Sequence, residues 1–594
     1  MSDSETQSLP DNDLLPAGDN IPRLGERLLQ QGLLTQQQVV YAMQKQSVEN
    51  SRLGTLLLKH GLVREYDVAK GLAEQRQIPF VPREHFPKPD AEILALFKRE
   101  FCLQHAFLPI RRDGAALEIL IGNNDDHAVA ALIMRRTGLE CRFLQGEFTQ
   151  VQQYIRSIYY FTQNPIKTVL EREVTKLADD VDRARSPEQF LTYLLTSAVH
   201  ERATDVHLVP SASSLHLFFR IDGVLRPMMG LPSALSRLVT YIKIRADMDI
   251  SEQRRPQDGS FHTMILDQPY AVRVSILFVE DGERVVLRLL PEMSEQVGLE
   301  RLGYFPEDVT RLEKLFAKPS GLILVTGPTG SGKSTSMYAA LQAHTLLETN
   351  VLTVEDPIEY RIPGVAQTEV NRRAGYDFSN ALRFFLRHDP DVILIGEIRD
   401  AETALAAVEA AATGHLVLST LHVSNVFGVV PRLRPMGLDA QMIADNLIGV
   451  VSQRLIRQNC SYCSVDDELS AAEQAWLADE SDKAPIHARH GVGCEACGFS
   501  GYMGRLPVYE ILEINQMLAD AIAENASRES VRTLAAENGY QSMLEQAKWR
   551  VRHGQSTLAE IARVLGESVE DSAEEAASQV RRARAVKVAE EVAS

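Results

Sequence analysis

Leu322 to Ala343 read LILVTGPTGSGKSTSMYAALQA: an apolar strand, a glycine-rich loop and a helical run in direct succession. The loop comprises Gly327, Pro328, Thr329, Gly330, Ser331, Gly332, Lys333, Ser334 and Thr335, and it fits the phosphate-loop pattern G-x-x-x-x-G-K-[ST]. Glycines at such a turn let backbone N–H groups face inward at a helix N-terminus, where negative charge is favoured. Lys333 is placed to neutralise β and γ oxygens, and the Ser334 hydroxyl to ligate Mg²⁺. ATP is the ligand this chemistry implies. Outward from the loop, NVLTVED, DVILIGE and HLVLSTLH alternate with helical segments, the order of a mainly parallel sheet in an α/β domain.

The strand VILIGE, Val392 to Glu397, delivers an acid at the carboxyl end of the sheet, where ligands of such folds bind. Glu397 is therefore expected to organise Mg²⁺ or the attacking water. The alternative is a structural pair with Arg399. VEDPIEY adds Glu355, Asp356 and Glu359 after another core strand; composition alone also allows a solvated turn there.

The chain around these motifs has 594 residues, too many for one core. Hydrophobic residues make up 45% and charged residues 24%, which excludes a wholly disordered or fibrous chain. The formal charge, 62 − 80 = −18, argues against a protein that mainly coats nucleic acid or acidic lipid. No apolar stretch is long enough to span a membrane and the first residues are acidic, so a cytoplasmic location is expected.

An internal repeat organises the beginning. Arg23–Gln46 and Arg52–Gln75 are two 24-residue units separated by a five-residue spacer. Arg23, Leu24, Gly25, Val39, Met43 and Gln46 of the first occupy the places of Arg52, Leu53, Gly54, Val68, Leu72 and Gln75 of the second. Each unit predicts a short helix, a glycine turn and a second helix. The expected organisation is a leader at 1–22 and an N-terminal domain at 23–160, with repeats at 23–75 and an α/β part at 82–160. A linker at 161–187, a second α/β domain at 188–295, the ATPase domain at 296–565 and a tail at 566–594 follow.

Cys460, Cys463, Cys494 and Cys497 form two CxxC pairs with thirty residues between them. Each pair can wrap one tetrahedral Zn²⁺, and four thiolates leave no open position for catalysis, so a zinc module at 458–505 with a structural role is expected. Cys102 and Cys141 stand alone and read as core residues.

Four ordered boxes, GPTGSGKST, VEDPIEY, LRHDPDVILIGEIRDAET and TGHLVLSTLH, resemble the Walker A, aspartate, Walker B and histidine boxes of the GspE/PilB family of secretion ATPases. The resemblance implies a RecA-like core, a PAS-like second domain and a homohexameric motor. In such a motor Glu355 and Glu359 sit near the γ-phosphate, Glu397 is the catalytic acid and His422 contacts the nucleotide; which acid is the general base stays open. It also implies that Arg273 and Arg288, in AVRVSILFVEDGERVVLRLL, are presented to phosphate; otherwise they are surface strand charges. ATDVHLVP lacks the acid usual before its proline, and Asn425 stands where the histidine box carries an acid. The cysteine pairs are similar to the family's tetracysteine module.

The RLG units resemble the cyclic-di-GMP-binding domain of the ATPase of mannose-sensitive haemagglutinin pili. Arginine can stack on and hydrogen bond to guanine, and glycine admits phosphate. The twelve repeat positions named above are the ligand set this implies; a helical repeat that only docks partners is the alternative. The resulting expectation is a cytoplasmic motor, peripheral to the inner membrane through a platform protein and its cytoplasmic adaptor. It would power type IV pilus assembly under cyclic-di-GMP control. Type II secretion, a nucleic-acid translocase and a catalytically weak adaptor are the alternatives.

Overall fold

The computed structural model describes residues 24–49, 51–122, 126–164, 170–172, 174, 187–232, 236–292, 298–342, 348–478 and 485–566. Arg23, the leader, most of the linker and the tail beyond 566 lie outside them. The chain divides into two compact units, Met1–Asn164 and Pro165–Ser594.

In the first unit each repeat folds as expected. Helices α1 (Leu24–Gln30) and α2 (Gln36–Glu49) flank a turn at Gly32, and α3 (Leu53–Lys59) and α4 (Glu65–Arg76) flank one at Gly61. Both glycines have positive φ, 71° and 64°, a conformation that costs other residues energy. The repeats interlock. A Cβ on Gly25 would lie 3.1 Å from Leu53 Cδ2, and one on Gly54 would lie 3.5 Å from Leu24 Cδ2. Each RLG leucine thus packs on the other motif's glycine, tightly at Gly25 and at ordinary contact distance at Gly54. Beyond the repeats, β1 (Phe107–Asp113), β2 (Ala116–Ile121) and β3 (Glu140–Gln145) form a sheet in that order, antiparallel then parallel. The helix Phe148–Gln163 covers it with Val151, Ile155 and Tyr159, and runs three residues past the boundary expected at 160. Cys102 is fully buried, whereas Cys141 is only half-buried.

In the second unit β4 (Ala203–Ser211), β5 (Ser214–Ile221), β6 (Val224–Pro232), β7 (Gln257–Ile265), β8 (Gln268–Val279) and β9 (Gly282–Pro291) make an antiparallel sheet. Its order is β6-β5-β4-β9-β8-β7. Strand alternation such as LHLFFRI buries Leu215, Leu217, Phe219 and Ile221 against the helices Pro187–His200 and Ser236–Arg245.

The following strands are β10 (Gly321–Thr326), β11 (Val351–Glu355), β12 (Ala366–Glu369), β13 (Val392–Ile395), β14 (Leu416–Leu421) and β15 (Leu447–Asn459). Two short strands, β16 (Ser464–Asp466) and β17 (Arg489–Gly491), pair with each other, and β18 (Tyr502–Glu513) returns to the main sheet. That sheet has the order β12-β11-β13-β14-β10-β15-β18 and is parallel except for β18. LILV is apolar throughout because both faces of β10 are covered. Leu322 and Leu324 enter one core, Ile323 and Val325 the other. Burial of each such side chain contributes about 1.5–3 kcal/mol, so the strand that aims the phosphate loop is firmly held.

Candidate active site and zinc module

β10 ends at Thr326 and the helix Lys333–Leu341 begins six residues after Gly327, so the loop turns over the carboxyl end of the sheet. Only glycine fits at Gly327 (φ 137°), where a Cβ would lie 2.4 Å from the Gln453 carbonyl oxygen. Lys333 Nζ donates to the Gly327 and Pro328 carbonyls at 3.0 and 2.9 Å, folded back along the loop it serves. Burial lowers its pKa, and the negative charges of Glu397 and Glu359 work against that shift.

Ser334 Oγ donates to Glu359 Oε1 at 2.9 Å. This hydroxyl–carboxylate pair beside a phosphate loop has the hard oxygen donors that Mg²⁺ takes, directly or through water. Glu397 lies at the end of β13 with its side chain 14% exposed; Arg399 donates to one carboxylate oxygen and His422 Nε2 lies 3.4 Å from the other. Burial works to raise its pKa, but Arg399 and His422 outweigh that and hold it below the usual carboxylate range. Glu397 is therefore ionised, and its pairing with Arg399 coexists with electrostatic attraction to Lys333.

Glu355 has a different setting. It is 5% exposed and accepts from Thr353 Oγ1 at 2.7 Å, Gln367 Nε2 at 3.1 Å and the Tyr338 hydroxyl. Burial raises its pKa, with the three donors only partly opposing it. Those donors make Glu355 a buried anchor that fixes Tyr338 beneath Glu359, whose N–H faces the same hydroxyl at 3.4 Å.

The two arginines are cross-strand neighbours, Arg273 on β8 opposite Arg288 on β9. Arg273 reaches the site's edge and donates to the Ile358 carbonyl at 3.2 Å; burial lowers its pKa, and Glu369 and Glu359 oppose this only in part. Arg288 turns away, donating from Nε to buried Asp205 at 2.9 Å. Asn425 accepts from Arg528 at 2.8 Å, so the position lacking its acid is occupied by a neutral acceptor for a guanidinium.

Sequence patterns do not point to Thr353 or Gln367 as parts of this site. Tyr338 alone left a signal, lying four residues after Ser334 on the same helix face.

In the first unit, Leu24, Val39, Leu53, Val68 and Leu72 pack in or against the small core of the repeats, Val68 being 7% exposed. Met43, Gln46 and Gln75 are half-buried and Arg52 is exposed. Gly25 and Gly54 lie where the two motifs meet.

The sulfur atoms of Cys460, Cys463, Cys494 and Cys497 all lie within 4.8 Å of one another, with separations of 3.9 Å (460–494), 3.9 Å (463–497) and 3.8 Å (494–497). Four thiolates around zinc at about 2.3 Å would be about 3.8 Å apart, so the residues fit the metal, and no pair is a disulfide. β16 and β17 close the thirty-residue excursion and bring the two CxxC turns together.

The family pattern described as Type II/IV secretion system protein matches residues 181–563, well over half of the chain. The chain belongs to this family. A second pattern, described as MshEN domain, matches 76–164, the α/β part that follows the RLG units. The type IV pilus assembly ATPase PilB of Myxococcus xanthus is 34% identical over 566 residues, covering 91% of this chain and 98% of that protein. PilB of Thermus thermophilus is 34% identical over 539 residues, but there the match takes in 87% of this chain and only 59% of the relative. The type II secretion system ATPase E of Vibrio cholerae is 41% identical over 382 residues, 64% of this chain and 75% of that one. Among the described residues, no helix is long and apolar enough to cross a membrane.

Proposed function

We propose that this chain is a homohexameric motor ATPase that powers type IV pilus assembly at an inner-membrane platform and is regulated by cyclic-di-GMP at its N-terminal domain. The observation that supports it most is the convergence of Lys333, Ser334, Glu359, Glu397 and His422 on one phosphate loop in a chain that aligns along almost its whole length with a pilus assembly ATPase. Type II secretion is the second reading, favoured by the higher identity to a secretion ATPase in the nucleotide-binding part.

In this reading the loop N–H groups and Lys333 bind the β- and γ-phosphates, and Ser334 with Glu359 holds Mg²⁺, which supplies charge neutralisation at the transferring group. Ionised Glu397 orients the attacking water and takes its proton, while His422 monitors the γ-phosphate. Arg273 already reaches the Ile358 carbonyl beside Glu359; on closure of the PAS-like second domain it, and Arg288 once released from Asp205, would balance charge in the loose transition state. Zinc held by the four cysteines is structural. Platform protein, cytoplasmic adaptor and a cytoplasmic location peripheral to the membrane belong to the same proposal.

The test is deletion of the gene in its native cell, complemented with wild-type or Lys333→Ala chain. Loss of surface pili, restored only by wild type, supports pilus assembly. Normal pili with a defective secretome would move the assignment to type II secretion, and neither defect would sink both readings.

A further inference from the structure

β15 runs parallel to β10, and Ser452 pairs with Thr326, the last residue before the phosphate loop. The next residue on β15, Gln453, is 1% exposed, and both the nitrogen and the oxygen of its side-chain amide are hydrogen-bonded. Nε2 donates to the Ser331 carbonyl inside the loop at 2.8 Å. Oε1 accepts from the Tyr304 hydroxyl at 2.7 Å and from Ser336 Oγ at 3.0 Å, and those two hydroxyls are themselves 3.0 Å apart. The orientation of the amide is forced: a carbonyl only accepts, so the NH₂ must face Ser331 and the oxygen must face the hydroxyls. The loop closes on the same residue from two sides, since a Cβ on Gly327 would meet the Gln453 carbonyl oxygen at 2.4 Å and one on Gly332 would lie 3.1 Å from Nε2.

Tyr304 lies between β9 of the second domain and the helix Pro306–Phe316 of the ATPase domain. Its ring packs on Tyr509, centroids 4.5 Å apart, and the Tyr509 hydroxyl accepts from Phe305 N–H and donates to buried Asp308, both at 2.8 Å. Tyr509 in turn is the β18 neighbour of Gln453 across the sheet. We propose that Gln453 is a positioning residue for the phosphate loop, tying it to Tyr304 and so to the segment by which the second domain joins the ATPase domain. Strand movement at that junction reaches the phosphates through one buried amide, and nucleotide binding sets the same amide from the other side.

This rests on the phosphate loop being an ATP site. The experiment measures ADP affinity by calorimetry, and KM and kcat for ATP, in full-length wild type, Gln453→Met and Tyr304→Phe. Methionine keeps the volume and loses every hydrogen bond, so the ADP Kd and KM are expected to rise about ten-fold or more, with kcat falling less. Tyr304→Phe, which removes one hydroxyl and leaves Ser336 in place, is expected to raise both about three-fold or more. Should Gln453→Met not fold, Tyr304→Phe decides alone. A Kd and KM within about two-fold of wild type in the folded variants overturn the inference. Failure of the wild type itself to bind ADP would instead sink the reading on which it rests.

Discussion

Glu560→Gln is expected to loosen the join between β15, the strand that leads into the tetracysteine cluster, and the helix Leu558–Leu565, without touching either candidate ligand site. Glu560 is 0% exposed and accepts from five N–H donors: Arg457 backbone N, Nε and Nη2 at 2.9, 2.9 and 2.6 Å, and Arg563 Nε and Nη2 at 2.7 Å each. Burial alone would push its carboxyl up; the two guanidinium groups and the N–H overcome that and hold it at about 2, against an ordinary 4.5. At about 1.4 kcal/mol per pH unit the difference corresponds to about 3 kcal/mol. The side chain of Arg563 is 40% exposed and its share is screened, which leaves about 2–3 kcal/mol. Glutamine is isosteric but carries no charge, and its NH₂ must face guanidinium donors. Hydrogen exchange of peptides spanning 454–460 and 558–565 at pH 7 is therefore expected to run about 30- to 150-fold faster in the variant. Because the folded carboxyl is depressed, this stabilisation is complete above pH 4.5 and is lost as the pH falls from 4.5 towards 2, so the gap between variant and wild type narrows over that window. Exchange within about three-fold of wild type at pH 7 would refute the reasoning.

Further outcomes follow from the other sites. Protein purified without chelator is expected to carry one zinc per chain by elemental analysis, and Cys463→Ser to lose it together with hydrogen-exchange protection of β16 and β17; a metal-free wild type contradicts this. Arg52→Ala is expected to weaken cyclic-di-GMP binding to the full chain by about 1–3 kcal/mol in calorimetric titration, with linear GMP dinucleotide as control. Equal affinity for both ligands would leave the repeat a docking surface. Arg273→Ala is expected to lower kcat by about 10³-fold with little change in ADP affinity; an unchanged kcat removes Arg273 from the transition state.

The sequence made the ATPase core legible where physics acts locally. LILV and VILI are continuous apolar runs, and VLTV and LVLSTL are interrupted only by small hydroxyl residues, because parallel strands are covered on both faces, and a glycine loop between strand and helix has few other readings. The RLG repeat was legible because the same residues recur at a fixed spacing, and each unit's leucine packs against the other unit's glycine. What escaped depends on partners distant in the chain. Glu355 reads as one acid among three until Tyr338, Thr353 and Gln367 surround it. Arg288 reads on its own as a surface strand charge, and nothing near it in the chain announces Asp205, 83 residues earlier, which accepts from its Nε. Gln453 gave no signal at all, because a lone glutamine in a strand reveals nothing of a loop 122 residues before it.

The most direct test of the central claim is steady-state ATP turnover and retained nucleotide in purified Glu397→Gln. Glutamine keeps the shape beside Arg399 and His422 but removes the charge that would orient and deprotonate water. Turnover is predicted to fall by at least about 100-fold while ATP remains bound through desalting. Turnover equal to wild type would contradict the account.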